Sequence, residues 1–278
     1  MPQYVKKIRT EAGDLQIDYN SLANLPQVSN QNLLINGDFR NPINQRGKYT
    51  YTGSSNPGSW MYTIDRWRVK GLNVTVNDNS ITLNNTGSSQ NSFQQAIGYY
   101  LPNGTYTVSC KVLSITGNVS IGLTGTSNNP KLSIGVNNYT WKDIEIGSVA
   151  VALDAGASVE LEWIKLENSD IATKFVPRLY TDELVMCQRF YRTYRRFPIY
   201  AASSTSLTYM LPIQFGVPMN AANQDITITE ILNSSATLQS DVTCTLCLSG
   251  PYNAQTIQLS KSIGQFGFVS ITFDAEIY

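Results

Sequence analysis

Short runs in which apolar and polar residues alternate dominate the chain. Leu72-Asn73-Val74-Thr75-Val76 and Tyr106-Thr107-Val108-Ser109-Cys110 each put every second side chain on one apolar face. That is the period of a strand half-buried in a sheet. Between residues 32 and 178 such runs recur at 69–76, 80–83, 93–97, 104–113, 118–123, 131–134, 140–146 and 158–166. Asn-Asn, Asn-Gly, Thr-Gly and Asn-Pro pairs punctuate them as turns. Asn32 to Phe39 reads as the opening strand, and no helix-period segment longer than two turns interrupts the series. Eight or more short strands predict two packed sheets, a sandwich or jelly roll.

The pattern changes on either side of this unit. In residues 1–31, Glu11-Ala12-Gly13-Asp14 is a turn signal and residues 15–17 suit a short strand. Asp18 caps a short helix through Ala23, which Asn24-Leu25-Pro26 ends. The apolar residues there are too few for a core, so the segment reads as a docking arm, with Leu15, Ile17, Tyr19, Leu22 and Leu25 as its attachment residues. Residues 179–197 predict a helical connector over 183–195, capped by Thr181 or Asp182. Leu184, Cys187, Tyr191 and Tyr194 form its stripe, and Arg189, Arg192, Arg195 and Arg196 lie mostly off it. Runs at 208–215, 226–231, 236–239, 242–248, 257–259 and 266–273 then predict a six-strand sandwich. The expected fold is all-β: an N-terminal arm (1–31), a central jelly-roll β-sandwich (32–178), a short helical connector (179–197) and a small C-terminal β-sandwich (198–278).

Composition narrows the chemistry. Only 14% of the 278 residues are charged, with 20 basic against 20 acidic, well below the roughly 25% of an average globular protein. Neutral balance argues against nucleic acid, whose binding rests on phosphate neutralisation. There is no histidine, which removes the commonest general base and transition-metal ligand. Cys244-Thr245-Leu246-Cys247 has CxxC spacing, but no second pair completes a zinc site and the segment reads as strand. The thiols are expected to be buried and reduced, as in a protein folded in a cytosol. No apolar run approaches the ~20 residues of a membrane span, and Lys6-Lys7 is followed by no apolar stretch, so neither insertion nor a secretory signal is expected.

Several landmarks, in order, resemble one protein class. Asn36-Gly37-Asp38-Phe39, Asn44-Gln45-Arg46-Gly47 and Asp65-Arg66-Trp67 are similar to the start of a jelly roll found in phage tail-fibre and minor tail proteins, related to carbohydrate-binding modules. Trp163 to Glu167 and Ala172 to Arg178 resemble the end of that module; Glu183-Leu184 with Cys187 to Tyr191 resembles the connector after it. Residues 13–26 resemble an N-terminal attachment segment, and Asp274 to Ile277 resembles the chain end of such fibres. The resemblance implies a phage or prophage receptor-binding protein on the virion tail. It would be a homotrimer, made in the host cytoplasm, docked to a baseplate or tail protein by its N-terminus and adhering to a host cell-surface glycan. No collagen-like or coiled-coil shaft is present, which departs from long fibres. Avidity over several weak sites would supply firm adhesion.

Sugar recognition uses exposed aromatic faces with nearby amides and carboxylates. The candidate ligand residues are Trp60, Tyr62, Tyr99, Tyr100, Tyr209 and Tyr252, with Tyr49, Tyr51 and Tyr200 as further loop-like aromatics and the distal unit as the favoured address. Trp67 and Trp163 read as core, and Asp65 and Arg66 as structural. Asp143, Glu145, Glu160 and Glu162 alternate on strands without a catalytic motif, so no enzyme activity is expected, a glycan-degrading enzyme being the alternative. A purely structural tail component is the third reading. No cofactor is expected; related jelly rolls bring up only a structural Ca²⁺ near Asp38 and the Glu167 strand end.

Overall fold

The computed structural model describes residues 7–10, 13–16, 29–53, 59–127, 129–201, 204–206, 208–214, 225–233, 235–242, 244–249 and 253–276. Strands β1 (Lys7–Thr10) and β2 (Gly13–Gln16) pair as an antiparallel hairpin that sets Ile8 opposite Leu15. Of the attachment residues, Leu15 lies in this hairpin; Ile17, Tyr19, Leu22 and Leu25 lie outside the described residues.

The central unit is built from β3 (Thr50–Tyr51), β4 (Met61–Tyr62), β5 (Arg68–Lys70), β6 (Asn73–Val76), β7 (Ile81–Asn84), β8 (Asn91–Thr116), β9 (Val119–Leu123), β10 (Gly135–Leu153) and β11 (Ser158–Asn168). They form one antiparallel sheet in the order β3-β6-β7-β11-β8-β10-β9, with β5 on the early part of β8 and β4 on β5. The long strand β8 changes partner along its length. Its first residues pair with β5 (Val69 opposite Phe93), and the stretch from Tyr106 onward pairs with β11. Register shifts between Trp141 and Ser148 bend β10 at that change, as bulges do. The sheet thereby curls on itself, and Leu34, Phe39, Ile64, Trp67, Phe93, Val108, Val151 and Ile164 fill its inside. The expected break between strands at 97 and 104 is absent, because cross-strand pairing to β10 carries β8 through Pro102-Asn103-Gly104. At 131–134 only an isolated bridge, Ser120 to Lys131, replaces the expected strand.

Asn32 to Phe39 is not a regular strand. It lies along β11 through backbone bonds from Leu33 N to Leu166 O, Ile164 N to Gly37 O and Phe39 N to Glu162 O. Asn36 breaks the ladder with a φ of 59°, a conformation asparagine tolerates better than most residues. A Cβ on Gly37 would stand 2.4 Å from the Ile164 carbonyl oxygen, so glycine is required for this close approach.

Helix α1 (Tyr180–Cys187) ends well before the expected residue 195. Tyr191 begins β12 (Tyr191–Ala201) instead, so Tyr191 and Tyr194 sit on a strand and Arg192 is buried. Pairing of β12 with the last strand overrides the helical stripe. The C-terminal unit adds β13 (Thr208–Gln214), β14 (Asp225–Asn233), β15 (Cys244–Ser249), β16 (Asn253–Leu259) and β17 (Phe266–Asp274), in the sheet order β14-β17-β12-β13-β16-β15. Residues 236–239 contribute only a bridge between Leu232 and Leu238. Ile199, Tyr209, Val269, Ile271 and Phe273 form its core. The CxxC pair lies on β15 as expected, and Cys110 and Cys187 are buried free thiols. No helix among the described residues is long and apolar enough to cross a membrane.

The two β units meet at a buried polar joint. Arg66, with φ 70°, donates its backbone N–H to Glu276 at 3.0 Å and its guanidinium to the same carboxylate at 2.5 Å. Its guanidinium also lies 3.6 Å from the centre of the Phe190 ring. Arg46 stands between Asp65 (3.3 Å) and Asp274 (3.6 Å) and over Tyr191 at 3.9 Å. Gln45 donates to Asp65 at 2.6 Å and to the Tyr191 carbonyl at 2.7 Å. Asp65 and Arg66 are therefore structural, as expected, but each pairs with a partner supplied elsewhere in the chain and not with the other.

Candidate functional site

Three loops and the start of α1 converge beside the central sheet. Asn36 organises the first: its Nδ2 donates to the carbonyls of Ile43 (2.9 Å) and Asp65 (2.8 Å), and its Oδ1 accepts from Ile43 N at 2.8 Å. This staple fixes residues 36–43 and presents Arg40, Asn41 and Pro42. Asn44 organises the second: it donates to the Lys48 carbonyl at 2.7 Å and accepts the Tyr51 hydroxyl at 2.6 Å. Tyr49 is left outside, 73% exposed, with its carbonyl held by Val76 N at 2.8 Å. In the third loop Asn77 donates to Ser80 (2.9 Å) and Thr82 (3.0 Å), leaving Asp78 at the tip. The helix is anchored by Glu183, which pairs with Arg178 at 3.1 Å and accepts the Asn36 backbone N–H. That anchor sets Tyr180, 49% exposed, beside the loops.

Between these elements lies a cavity of about 320 Å³ whose walls include Arg40, Asn41, Asn44, Tyr49, Asn77, Asp78 and Tyr180. It is at the small end of the roughly 300–1,000 Å³ typical of ligand sites. The wall residues divide into two groups. Arg40, Asn44 and Asn77 are engaged within the fold, Arg40 through two bonds to Asp38 at 2.7 and 2.9 Å. The side chains of Asn41, Asp78, Tyr49 and Tyr180 have no polar partner among the described residues. Two aromatic faces, an amide and a carboxylate are thus free at one place, which suits a hydroxyl-rich ligand. A second cavity of about 160 Å³ adjoins it, with Asn41 and Tyr180 lining both and Asp38, Pro177, Arg178 and Glu183 lining the smaller one.

Most of the aromatics singled out from sequence lie elsewhere. Tyr209 is fully buried, its hydroxyl donating to the Gly264 carbonyl at 2.7 Å and accepting from Ile263 N at 2.9 Å. It is core and offers no face to a sugar. Tyr62 and Tyr51 are also buried, and burial pushes both hydroxyls up to about 12. Trp60 is half-buried with the Arg68 guanidinium 4.5 Å from its ring centre. Tyr100 is exposed, its ring lying over Gly147. Tyr200 is half-exposed and tilted against Phe266 at 5.2 Å. Tyr252 and the side chain of Tyr99 lie outside what is described. Only Tyr49 of the sequence-nominated aromatics lines the larger cavity, and Tyr180 was not singled out at all. Tyr180 sits more than a hundred residues from its neighbours in the site, so no local pattern points to it.

Much of the other expected chemistry is absorbed by the fold, whereas Asp143 and Glu145 are exposed on β10. Trp67 and Trp163 are buried; the Trp67 ring stacks on Phe93 at 4.6 Å, and its Nε1 donates to the Asn36 carbonyl at 2.7 Å. Glu160 accepts from Ser80 and Ser114, and Glu162 pairs with Lys111 at 2.6 Å. The arginine cluster disperses: Arg192 is buried and donates to the Gln188 carbonyl at 2.5 Å, while Arg196 faces Glu230 at 3.8 Å.

The oxygens considered for Ca²⁺ do not share one place. Asp38 lies opposite Trp163 on β11, and Glu167 is four positions further on, about 13 Å along a strand. Asp38 holds Arg40. Glu167 is 3.2 Å from the buried Lys165 ammonium, which also donates to Thr173 Oγ1 (2.6 Å), Thr173 O (3.2 Å) and Lys174 O (3.3 Å). The oxygen cluster at the Glu167 strand end is thus filled by a cation of the chain itself. Among the described residues no group of three or more Cys, Asp or Glu side chains is placed to hold a metal.

No family model matches the chain, and no curated protein matches it. Among solved structures it is similar to TmCBM61 in complex with beta-1,4-galactotriose, at 15% identity and a TM-score of 0.28, covering 50% of this chain and 99% of that one. It is also similar to the agarase AgWH50C, at 8% identity and 0.26, covering 82% and 48%. Vicilin from Corylus avellana (hazelnut) gives 6% identity and 0.13, covering 82% and 85%. Likenesses of this degree decide nothing about the site, which rests on the chain's own geometry.

Proposed function

We propose that this protein is a carbohydrate-binding attachment protein of a virion tail. Its central unit would hold a host glycan in the cavity between Tyr49, Asp78 and Tyr180. One observation carries the carbohydrate reading: the four partnerless side chains of the cavity wall are two tyrosines, an asparagine and an aspartate. These are the groups that stack on and hydrogen-bond to a sugar ring. The ordered landmarks from Asn36 to Glu276 support the tail assignment, and the engagement of Glu160 by Ser80 and of Glu162 by Lys111 supports binding without hydrolysis. The address differs from the distal unit favoured by sequence.

A glycan array probed with the full chain tests the reading. Tyr49→Ala and Tyr180→Ala should each lower affinity roughly tenfold or more, the size seen for aromatic anchors, with melting temperature unchanged because both residues are exposed. Wild-type binding by both variants would remove the cavity from the function. Sustained release of oligosaccharide from envelope polysaccharide would replace a binder by an enzyme. Immunogold label on purified particles anywhere but the tail would remove the virion assignment and leave carbohydrate binding standing. A solution mass of one chain would remove the trimer.

A further inference from the structure

We infer that the two adjoining cavities form one groove, which takes a neutral oligosaccharide of at least two rings lying across Asn41 and Tyr180. The inference rests on the carbohydrate reading above and adds the ligand's length and charge.

The length follows from continuity. Asn41 and Tyr180 line both cavities, so a chain leaving the larger one passes them to enter the smaller. The smaller holds about 160 Å³, about five times the ~30 Å³ share of a water molecule and the scale of a single sugar ring. At the junction the Asn41 amide is free to bridge two successive rings.

The charge follows from the walls. Asp78 is a carboxylate without a cation in the larger cavity, and Asp38 and Glu183 line the smaller. The nearby guanidiniums of Arg40 and Arg178 are already paired with those two acids. Among the described residues that line the two cavities, no cation is left over for a uronate or a phosphate. A neutral glycan, whose hydroxyls donate to Asp78, meets no repulsion.

The test uses the full chain on an array of neutral and uronic-acid-bearing bacterial envelope glycans. Calorimetric titration with one-, two- and three-ring fragments of the best neutral binder follows. Affinity should rise at least tenfold from one ring to two. Asn41→Ala should weaken the two- and three-ring fragments about fivefold, the loss of one net hydrogen bond, and leave the single ring unchanged. Asp78→Asn should raise the signal of uronic-acid glycans relative to neutral ones. Equal affinity for all fragment lengths would overturn the two-cavity groove while carbohydrate binding stood. Preference for acidic glycans would overturn the charge assignment alone. No binding to any glycan would overturn the underlying carbohydrate reading, and this inference with it.

Discussion

At the scale of single residues, buried charges settle where this chain is most vulnerable. The Arg66 guanidinium is 1% exposed and Glu276 is its carboxylate partner. Removing one member of such a pair leaves a buried charge uncompensated, at a cost of roughly 3–5 kcal/mol. Glu276→Ala is expected to lower unfolding free energy by about that amount in a denaturant titration; a loss below about 1 kcal/mol would contradict the joint. Lys165 makes the same argument inside the central unit. Lys165→Met leaves Glu167 buried without its cation, so a loss of similar size, again about 3–5 kcal/mol, is expected. Because the ammonium fills that oxygen cluster, EDTA should leave the melting temperature of the native chain unchanged. A drop on chelation would show that a metal shares the site.

Asp65 gives the joint a pH dependence. Burial, which outweighs the nearby Arg46 and the Gln45 hydrogen bonds, raises its carboxyl to about 7 from an ordinary 3.8. A carboxyl raised in the folded state binds its proton more tightly there than in the unfolded chain. Its contribution is therefore full below about pH 4 and is lost as pH rises toward about 7. Asp65→Asn, which cannot ionise, should flatten that slope. Melting temperatures of the two proteins compared between pH 4 and 7 give the check: parallel curves would mean that Asp65 titrates normally.

At the scale of elements, tertiary pairing overrode local pattern in two places. Leu184, Cys187, Tyr191 and Tyr194 are spaced as a helical stripe, yet the helix stops at Cys187 because the backbone from Tyr191 is taken by β17. The Pro102-Asn103-Gly104 turn signal is passed over because β10 pairs alongside. Both failures share a cause: periodicity registers one chain's local preference, whereas strand pairing depends on what arrives beside it. Gly37 shows the reverse, a local residue that a distant strand requires. Gly37→Ala would set its Cβ against the Ile164 carbonyl at 2.4 Å, and a loss of about 1–3 kcal/mol is expected from overpacking of this kind. The amide exchange of β11 should quicken in that variant; unchanged exchange would show that the contact gives way freely.

At the scale of the whole molecule, the joint makes the two β units interdependent. Arg46, Asp65 and Arg66 come from the central unit, and Asp274 and Glu276 from the end of β17 and the residues just after it. Calorimetry on the intact protein should show one unfolding transition, and Glu276→Ala should split it into two. Two transitions in the native protein would mean that the joint contributes little. The joint also gives Asp65-Arg66-Trp67 two tasks at adjacent positions. Trp67 packs into the central core while Arg66 reaches the other unit. The groove lies on loops that the core holds but does not fill, with Asn36 linking its smaller cavity to Trp67.

Alternation of apolar and polar residues, with Asn and Gly at the turns, was enough to specify an all-β chain, the core roles of Trp67 and Trp163, and the strand character of the CxxC segment. Those properties depend on a residue and its immediate neighbours, and the physics of a pleated strand writes them at period two. The identity of the groove was not legible in that way. Tyr49, Asp78 and Tyr180 come together because a curled sheet brings three loops and a helix to one end, and Glu183 ties that helix to Asn36. The same holds for the partners of Arg66 and for the ammonium beside Glu167. Contacts between segments far apart in sequence are settled by how the sheets close, and only the closed fold separates the tyrosines that are core from those that are free to meet a ligand.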